Sequence, residues 1–455
     1  MLPFTLIDKY NVPIPRYTSY PTVPYWKDGL TDNADWALQI QKAIQANKTA
    51  EGISLYLHLP FCEQLCTYCG CNKRITKNHS VETIYIDALL KEWAHYKKMF
   101  GDQLIIREVH LGGGTPTFFS PENLVYLMTE LFKGVSIHPE PEFSFEGHPN
   151  NTTKEHLQSL YDIGFRRVSF GVQDLDAKVQ VAINRVQPFE KTKQVTEWAR
   201  EIGYESVNFD LIYGLPFQTI DTIRQTIESV ITLQPNRIAF YSYAHVPWTK
   251  KSQRAYDEND LPKGKDKYAL YELGKELFVA AGYTDVGMDH FALAGDGLLI
   301  SKENGTLHRN FMGYTTTNTE VLIGLGVSAI SDVFYGFRQN YKTVEEYYEA
   351  VNKDLLPVHR GINVSEEDIL YRKHILNIAC KGKTDWTGEI TLTPLMENQL
   401  HDLQNDGLIA WKNSQLKLTK FGWSFLRNIC AVFDKKMNDD KLNPKQDTPK
   451  FSQAV

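Results

Sequence analysis

Four of the chain's six cysteines fall within ten residues, in the run Cys62-Glu-Gln-Leu-Cys66-Thr-Tyr-Cys69-Gly-Cys71. The run follows directly on ISLYLHL (53–59), an apolar segment that reads as a strand. Whatever fold the chain adopts must therefore carry a thiol-rich loop at the end of a strand. Crowding of this kind favours a metal or redox site over disulfides. Three thiolates at C-x3-C-x2-C spacing can wrap one cluster from a single loop. A cubane iron–sulfur cluster takes one ligand per iron, so three local cysteines leave one iron open to a small molecule. Two blander readings stand beside this one. Four cysteines can hold zinc, although zinc usually takes two separated pairs. Buried cysteine without a role is the other, and four in ten residues argue against it. Cys380 and Cys430, in the apolar contexts ILNIAC and FLRNIC, read as core residues.

Around this loop the chain alternates between two periodicities. Strand-like segments occur at 53–59, 105–111, 142–146, 167–172, 206–213 and 236–243. Between them lie helical patterns. Ile86, Leu89, Leu90 and Trp93 repeat at helical spacing, as do Ile220, Ile223, Ile227, Val230 and Ile231 after a Thr219 cap. The alternation predicts an α/β fold with a parallel sheet, a barrel or a part-barrel of six β/α units. In such folds ligands sit at the C-terminal ends of the strands. Residues 1–50 form an N-terminal arm, Pro- and Tyr-rich over 12–26 and able to pack as structure or to cover a substrate, with a polar helix near 32–48. The barrel is expected over 51–292 and a mainly helical C-terminal domain over 293–433. That domain opens on a Gly-rich boundary loop at 293–307. Within it, 395–422 reads as a helix and a short hairpin in the manner of a winged helix. The tail 434–455 is charged, poor in large apolar residues and expected to be disordered.

The charge balance narrows the partners. A formal net charge of -6 argues against a nucleic-acid binder and against an anionic membrane surface. No apolar run approaches the roughly 18–20 residues that span a bilayer. The first residues, MLPFTLIDKY, lack the features of a signal peptide, so the expected location is cytoplasmic. With no heptad pattern and no large apolar face, a monomer is expected.

At this point the motifs carry a resemblance. C-x3-C-x2-C with an aromatic, Tyr68, before the last cysteine resembles the signature of the radical S-adenosylmethionine superfamily. More closely, the whole chain resembles the oxygen-independent coproporphyrinogen III oxidase family. The match runs through PRYTSYPT (15–22), LHLPFCEQLCTYCGCNK (57–73), GGGTPT (112–117), GVQD (171–174) and DLIYGLP (210–216). It continues in GMDHF (287–291), HRNF (308–311), GYTT (313–316) and GLGVSAIS (324–331).

The resemblance implies a partial (β/α)6 barrel holding a four-iron, four-sulfur cluster on Cys62, Cys66 and Cys69. It also implies two molecules of S-adenosylmethionine, a porphyrinogen substrate and a separate electron donor. The implied reaction is the oxygen-independent oxidative decarboxylation of two propionates of coproporphyrinogen III to vinyl groups, giving protoporphyrinogen IX. Tyr56, Gly113, Glu146 and Ile330 match positions around the cluster-bound cofactor. Tyr68, Gly114, Thr115, Gln173, Arg185, Asp210 and Ala244 match positions around the second molecule. Cys71 matches a functionally important position that is not a cluster ligand. His58, just before the loop, can hydrogen-bond the cluster or substrate, or serve as a satisfied structural histidine. The alternative within the superfamily is a haem chaperone, which usually lacks the fourth cysteine and the YTSYPT arm. One departure is visible: Met312 stands where the better-known oxidases carry Gln. Arg16, Lys73, Arg74 and Arg309 are the cations expected to meet the substrate's carboxylates.

Overall fold

The computed structural model describes residues 4–30, 32–248, 250–443 and 451. The alternating segments fold as β1 (Ile53–Leu59), β2 (Ile105–Gly113), β3 (Ser136–Gly147), β4 (Arg167–Gln173), β5 (Ser206–Tyr213) and β6 (Arg237–Ser242). All neighbouring pairs from β1 to β6 are parallel. Helices connect them with the chemistry the sequence advertised. The helix Ile220–Thr232 begins at a capping box, where Thr219 accepts from the Thr222 amide, and buries Ile223, Ile227 and Val230. Such a helix covers a sheet face that would otherwise expose the apolar side chains of β5 and β6.

The sheet extends beyond the six expected strands. After β7 (Thr284–Gly287) and β8 (His290–Ala292) come β9 (Leu322–Leu325), β10 (Ile330–Asp332), β11 (Gly336–Asn340) and β12 (Val358–Asn363). The principal sheet has 13 strands, and β9 lies parallel to β1 on its free edge. The order runs from one edge to the other and does not close into a barrel. The region 293–433 is thus richer in strand than the mainly helical domain expected. Its first two strands, His308–Asn310 and Gly313–Thr315, pair with each other, and the next four, β9 to β12, complete the principal sheet. The reason is packing: every residue of β9 is buried, and β1 is covered only when β9 pairs with it. The boundary loop expected at 293–307 contains a helix, Gly297–Glu303. Asp296 caps it and also receives the buried Arg237 guanidinium at 2.6 Å.

Further along, the helix Pro394–Asn405 and the hairpin Ile409–Lys412/Gln415–Leu418 do fold as a winged helix would, with Lys383–Asp385 as the third strand. The N-terminal arm is packed structure. Ile14, Tyr17, Tyr20 and Trp26 are buried, and Tyr17 donates to Asp434 at 3.1 Å. The expected disorder of 434–455 is corrected for its first part. Lys435–Leu442 is a helix capped by Asp434, with Met437 and Asn438 buried. A polar composition concealed one anchoring methionine and one buried carboxylate. Residues 444–450 and 452–455 lie outside those described.

The interior of the sheet is polar, and the GYTT segment explains how its floor is closed. Thr315 and Thr317 donate to the two oxygens of Glu108, each at 2.9 Å, and Ser54 donates to the same carboxylate at 2.5 Å. Thr316 bonds Glu142, which also receives Arg167. This plug leaves only the C-terminal ends of the strands open.

Candidate active site

The site is built at those open ends. The cysteine loop leaves β1 through Pro60, and a short parallel pairing of Phe61–Cys62 with Arg74–Ile75 ties its two ends together. Cys62, Cys66, Cys69 and Cys71 are all free thiols and line one cavity of about 800 Å³. Among the described residues, no three His, Cys, Asp or Glu side chains converge to hold a single metal ion. The four thiols lie along the wall of this cavity. Donors already point at the sulfurs: Thr115 Oγ1 lies 3.4 Å from Cys62 Sγ, and Arg185 Nη1 lies 3.7 Å from Cys66 Sγ. Such donors stabilise thiolate charge and tune a cluster's potential. Burial pushes the Cys62 thiol up to about 11, against the Thr115 hydrogen bond. The neighbouring Cys71 holds the Cys69 thiol down, and Cys69 in turn pushes Cys71 up.

Glycines bring backbone close to this loop. Gly114 runs so near β1 that a Cβ there would lie 2.5 Å from the Pro60 carbonyl oxygen. At Gly113, φ is +115°, and a Cβ would meet the His58 ring at 2.7 Å. A side chain at either position would displace the loop.

The residues expected around the two cofactor molecules fall into two groups in space. Tyr56, Gly113, Glu146 and Ile330 line a cavity of about 560 Å³. Tyr68, Gly114, Thr115, Gln173, Arg185 and Asp210 line the thiol cavity. Gly70, Cys71, Gly113 and Glu146 are common to both, so the two spaces adjoin. Ala244 lines neither. It is held beside the loop by Gln253, whose side-chain amide donates to Tyr68 O at 3.0 Å and Ala244 O at 3.2 Å.

Two carboxylates at the mouth are tuned differently. Burial pushes Glu146 up, but His110, the Gly113 amide and His58 outweigh it and hold the carboxyl below its ordinary value. Asp210 is pushed up to about 6 by burial and then by the charge of Glu146, despite bonds from Ser169 and Asn208. Arg185 donates to Gly171 O at 2.5 Å and leaves its Nε without a protein partner. Gln173 reaches this wall with a left-handed backbone, φ 66°.

His58 lines the Tyr56 cavity, and both of its ring nitrogens are bonded within the chain. Its Nε2 bonds the Asn72 carbonyl at 2.9 Å and its Nδ1 the Tyr56 hydroxyl at 3.0 Å. A carbonyl only accepts, so Nε2 carries the proton and Nδ1 accepts from Tyr56. Burial lowers the ring's pKa further. With both nitrogens engaged, this neutral ring positions Tyr56 and the end of the cysteine loop. Of the expected cations, Arg74 pairs with exposed Glu345 at 3.0 Å, and Lys73 donates to Cys69 O at 3.0 Å. Sequence reading missed Gln253 and His110. His110 could have been suspected, since it lies four residues before Gly114 on a strand that ends at the site. Gln253 sits in a segment with no local signal.

A parallel β/α sheet with a three-thiol loop at the end of its first strand defines the radical S-adenosylmethionine class. Accordingly, residues 56–230 match the family model of the Radical SAM superfamily. Along nearly its whole length the chain is also similar to enzymes named oxygen-independent coproporphyrinogen III oxidase. It is 38% identical to the one from Helicobacter pylori strain J99 over 443 residues, covering 95% of this chain and 96% of that one. It is 36% identical to the one from Escherichia coli K12, covering 94% of each. The solved structure of coproporphyrinogen III oxidase from Escherichia coli, described as a radical SAM enzyme, superposes with a TM-score of 0.88 at 33% identity. That match covers 96% of this chain and 99% of the other. The chain belongs to the oxygen-independent coproporphyrinogen III oxidase family. No helix among the described residues is long and apolar enough to cross a membrane.

Proposed function

We propose that this chain converts coproporphyrinogen III to protoporphyrinogen IX without oxygen, using a cluster held by Cys62, Cys66 and Cys69 and two molecules of S-adenosylmethionine. The observation that carries the reading is the set of thiols on the wall of a cavity that adjoins a second one. The two are lined by the two groups of residues named above. When bound, the reduced cluster supplies the electron that cleaves S-adenosylmethionine to a 5′-deoxyadenosyl radical. Three thiolates for four irons leave one iron without a protein ligand. Glu146, held ionised, accepts from the methionine ammonium of the first molecule, and Gly113 lets the backbone approach it. Arg185 takes the carboxylate of the second molecule through its unpartnered face, and Asp210 takes an amine or hydroxyl. Tyr56, fixed by His58, walls the first cavity.

In the overall change, each reacting propionate gives up a β-hydrogen atom, which ends in 5′-deoxyadenosine. It then loses carbon dioxide and one electron, which balances the electron spent in cleaving S-adenosylmethionine; each decarboxylation thus uses one S-adenosylmethionine as its two-electron oxidant, and the remaining two carbons become a vinyl group. The polar plug closes the floor behind the reacting space, and a bound substrate would have to shield the mouth from water, which would quench a carbon radical. Cys71, on the wall common to both cavities, lines the reacting space and is not needed as a ligand.

The test is anaerobic reconstitution with iron and sulfide, followed by S-adenosylmethionine, a reductant and coproporphyrinogen III. Protoporphyrin after oxidation, with two equivalents of 5′-deoxyadenosine, is the expected outcome. Deoxyadenosine without decarboxylation would reject the substrate while keeping the radical chemistry, and haem binding would then be the property to measure.

A further inference from the structure

A third cavity, of about 320 Å³, adjoins the two just described. Tyr241 lines both it and the thiol cavity, while Phe311 and Met312 line both it and the Tyr56 cavity. Its wall carries four cations, Arg16, Lys267, Arg309 and Arg427, and one carboxylate, Asp289. The cations come from four separate parts of the chain: the arm, the helix Gly264–Ala280, the strand His308–Asn310 and the helix Leu426–Val432.

The bonds these groups make with the protein include several to carbonyl oxygens, which carry no charge to neutralise them. Lys267 donates to Tyr243 O at 2.9 Å, Arg16 to Ser242 O at 3.3 Å and Arg309 to Arg16 O at 3.4 Å. Arg309 is only 7% exposed, and its Nε has no partner. His290 adds no charge, since burial and then Arg309 and Arg237 push it down to about 3. Burial, followed by Arg16 and Arg427, pushes the Lys267 ammonium down to about 8. Counted over the residues that line this cavity, four cations face one carboxylate, a surplus of positive charge. Such a surplus is costly unless an anion enters.

We propose that this cavity receives the two propionates that the reaction leaves intact, anchoring one edge of the macrocycle while a reacting propionate enters the space beside the thiols. The inference rests on the oxidase reading. It explains why GMDHF and HRNF, remote from the cysteine loop, belong to the site: they supply Asp289 and Arg309. It also explains why the arm is tied down by Arg427, which donates to Pro15 O at 3.1 Å and to Ile14 O. Packing the arm places Arg16 on the cavity wall.

The experiment measures binding of two oxidised, fluorescent probes to the reconstituted protein: coproporphyrin III, with four carboxylates, and protoporphyrin IX, with only the two retained ones. Lys267→Met should weaken both by about tenfold, the loss of one charge-assisted contact. Lys267→Arg should stay close to wild type. Arg309→Gln provides an independent second variant, with cluster absorbance and melting temperature as controls for folding. Loss of coproporphyrin binding alone would overturn the proposal, because the cavity would then hold the reacting carboxylates. Unchanged binding of both probes by both variants would overturn it as well. Turnover of coproporphyrinogen III by the wild type is scored separately. If it fails while the binding pattern holds, the oxidase reading falls and the carboxylate cavity stands.

Discussion

The two ends of the sheet interior are both polar, yet they are finished differently. At the floor, Glu108 receives hydroxyls from Ser54, Thr315 and Thr317, and Glu142 receives Arg167 and Thr316. At the mouth, four thiols line open space, and Arg185 and Arg309 each leave a buried Nε without a partner. The carboxylates at the floor find their partners within the chain, whereas the two guanidinium groups at the mouth keep donors that a ligand can take. The same chain therefore carries a self-sufficient polar plug at one end and an incomplete polar surface at the other.

The strongest way to break this comparison is at the mouth. Replacing Cys62, Cys66 or Cys69 singly with Ala should abolish the cluster's visible absorbance and all turnover, while the far-ultraviolet spectrum stays native. Cys380→Ala and Cys430→Ala should retain the cluster. A thermal unfolding midpoint that collapsed along with the cluster would show that the mouth, too, is structural. Next in size is the floor. Glu108→Ala strands three hydroxyls and should cost roughly 2–4 kcal/mol in denaturant titrations, with iron content per folded molecule unchanged.

Arg185→Lys should come third. It keeps the charge but loses the planar fork, so the KM for S-adenosylmethionine should rise about tenfold with cluster absorbance intact. An unchanged KM would assign Arg185 to the loop alone.

Glu92 sharpens the comparison from a different direction, as a buried carboxylate with partners but no cation. Burial raises it to about 7 from 4.5, against bonds from Gly326, Tyr347 and Asn340. Between those two values the folded state keeps a proton that the unfolded chain releases. Stability should therefore fall as pH rises from about 4.5 to about 7 and stay level above that. Glu92→Gln should flatten this slope, by roughly 1–3 kcal/mol across the window. The smallest effect is expected at Met312, which lines two of the cavities. Met312→Gln should shift the KM for substrate by no more than about threefold, since it adds only hydrogen-bonding capacity to a wall already polar.

The strands were legible because apolar segments alternating with amphipathic helices have a periodicity that survives without context. β1 matches its expected range of 53–59, and β5 its range of 206–213. What escaped was decided between distant segments. β9 lies in the apolar run VLIGL, which was not read as a strand, and its place beside β1 depends on an edge that exists only after the sheet has formed. The helix at Lys435–Leu442 looked like a solvated tail because its anchor, Asp434, is fixed by Tyr17 more than 400 residues away. For His58 the sequence left a role at the chemistry and a structural role open; its bonds to Tyr56 and Asn72 depend on where Asn72 returns to it.

The sequence by itself determined the chemistry: a thiol spacing, a set of strand-end polar residues and a periodicity that stacks those strands in parallel. These are local properties, carried by neighbouring residues and by the geometry of one strand or one turn. Only the tertiary structure decided which polar groups are satisfied and which are left open. It gathered four cations from distant parts of the chain around one carboxylate and gave the GYTT threonines to the floor. The physical reason is that charge balance and hydrogen-bond saturation are sums over spatial neighbours, and no stretch of sequence contains them.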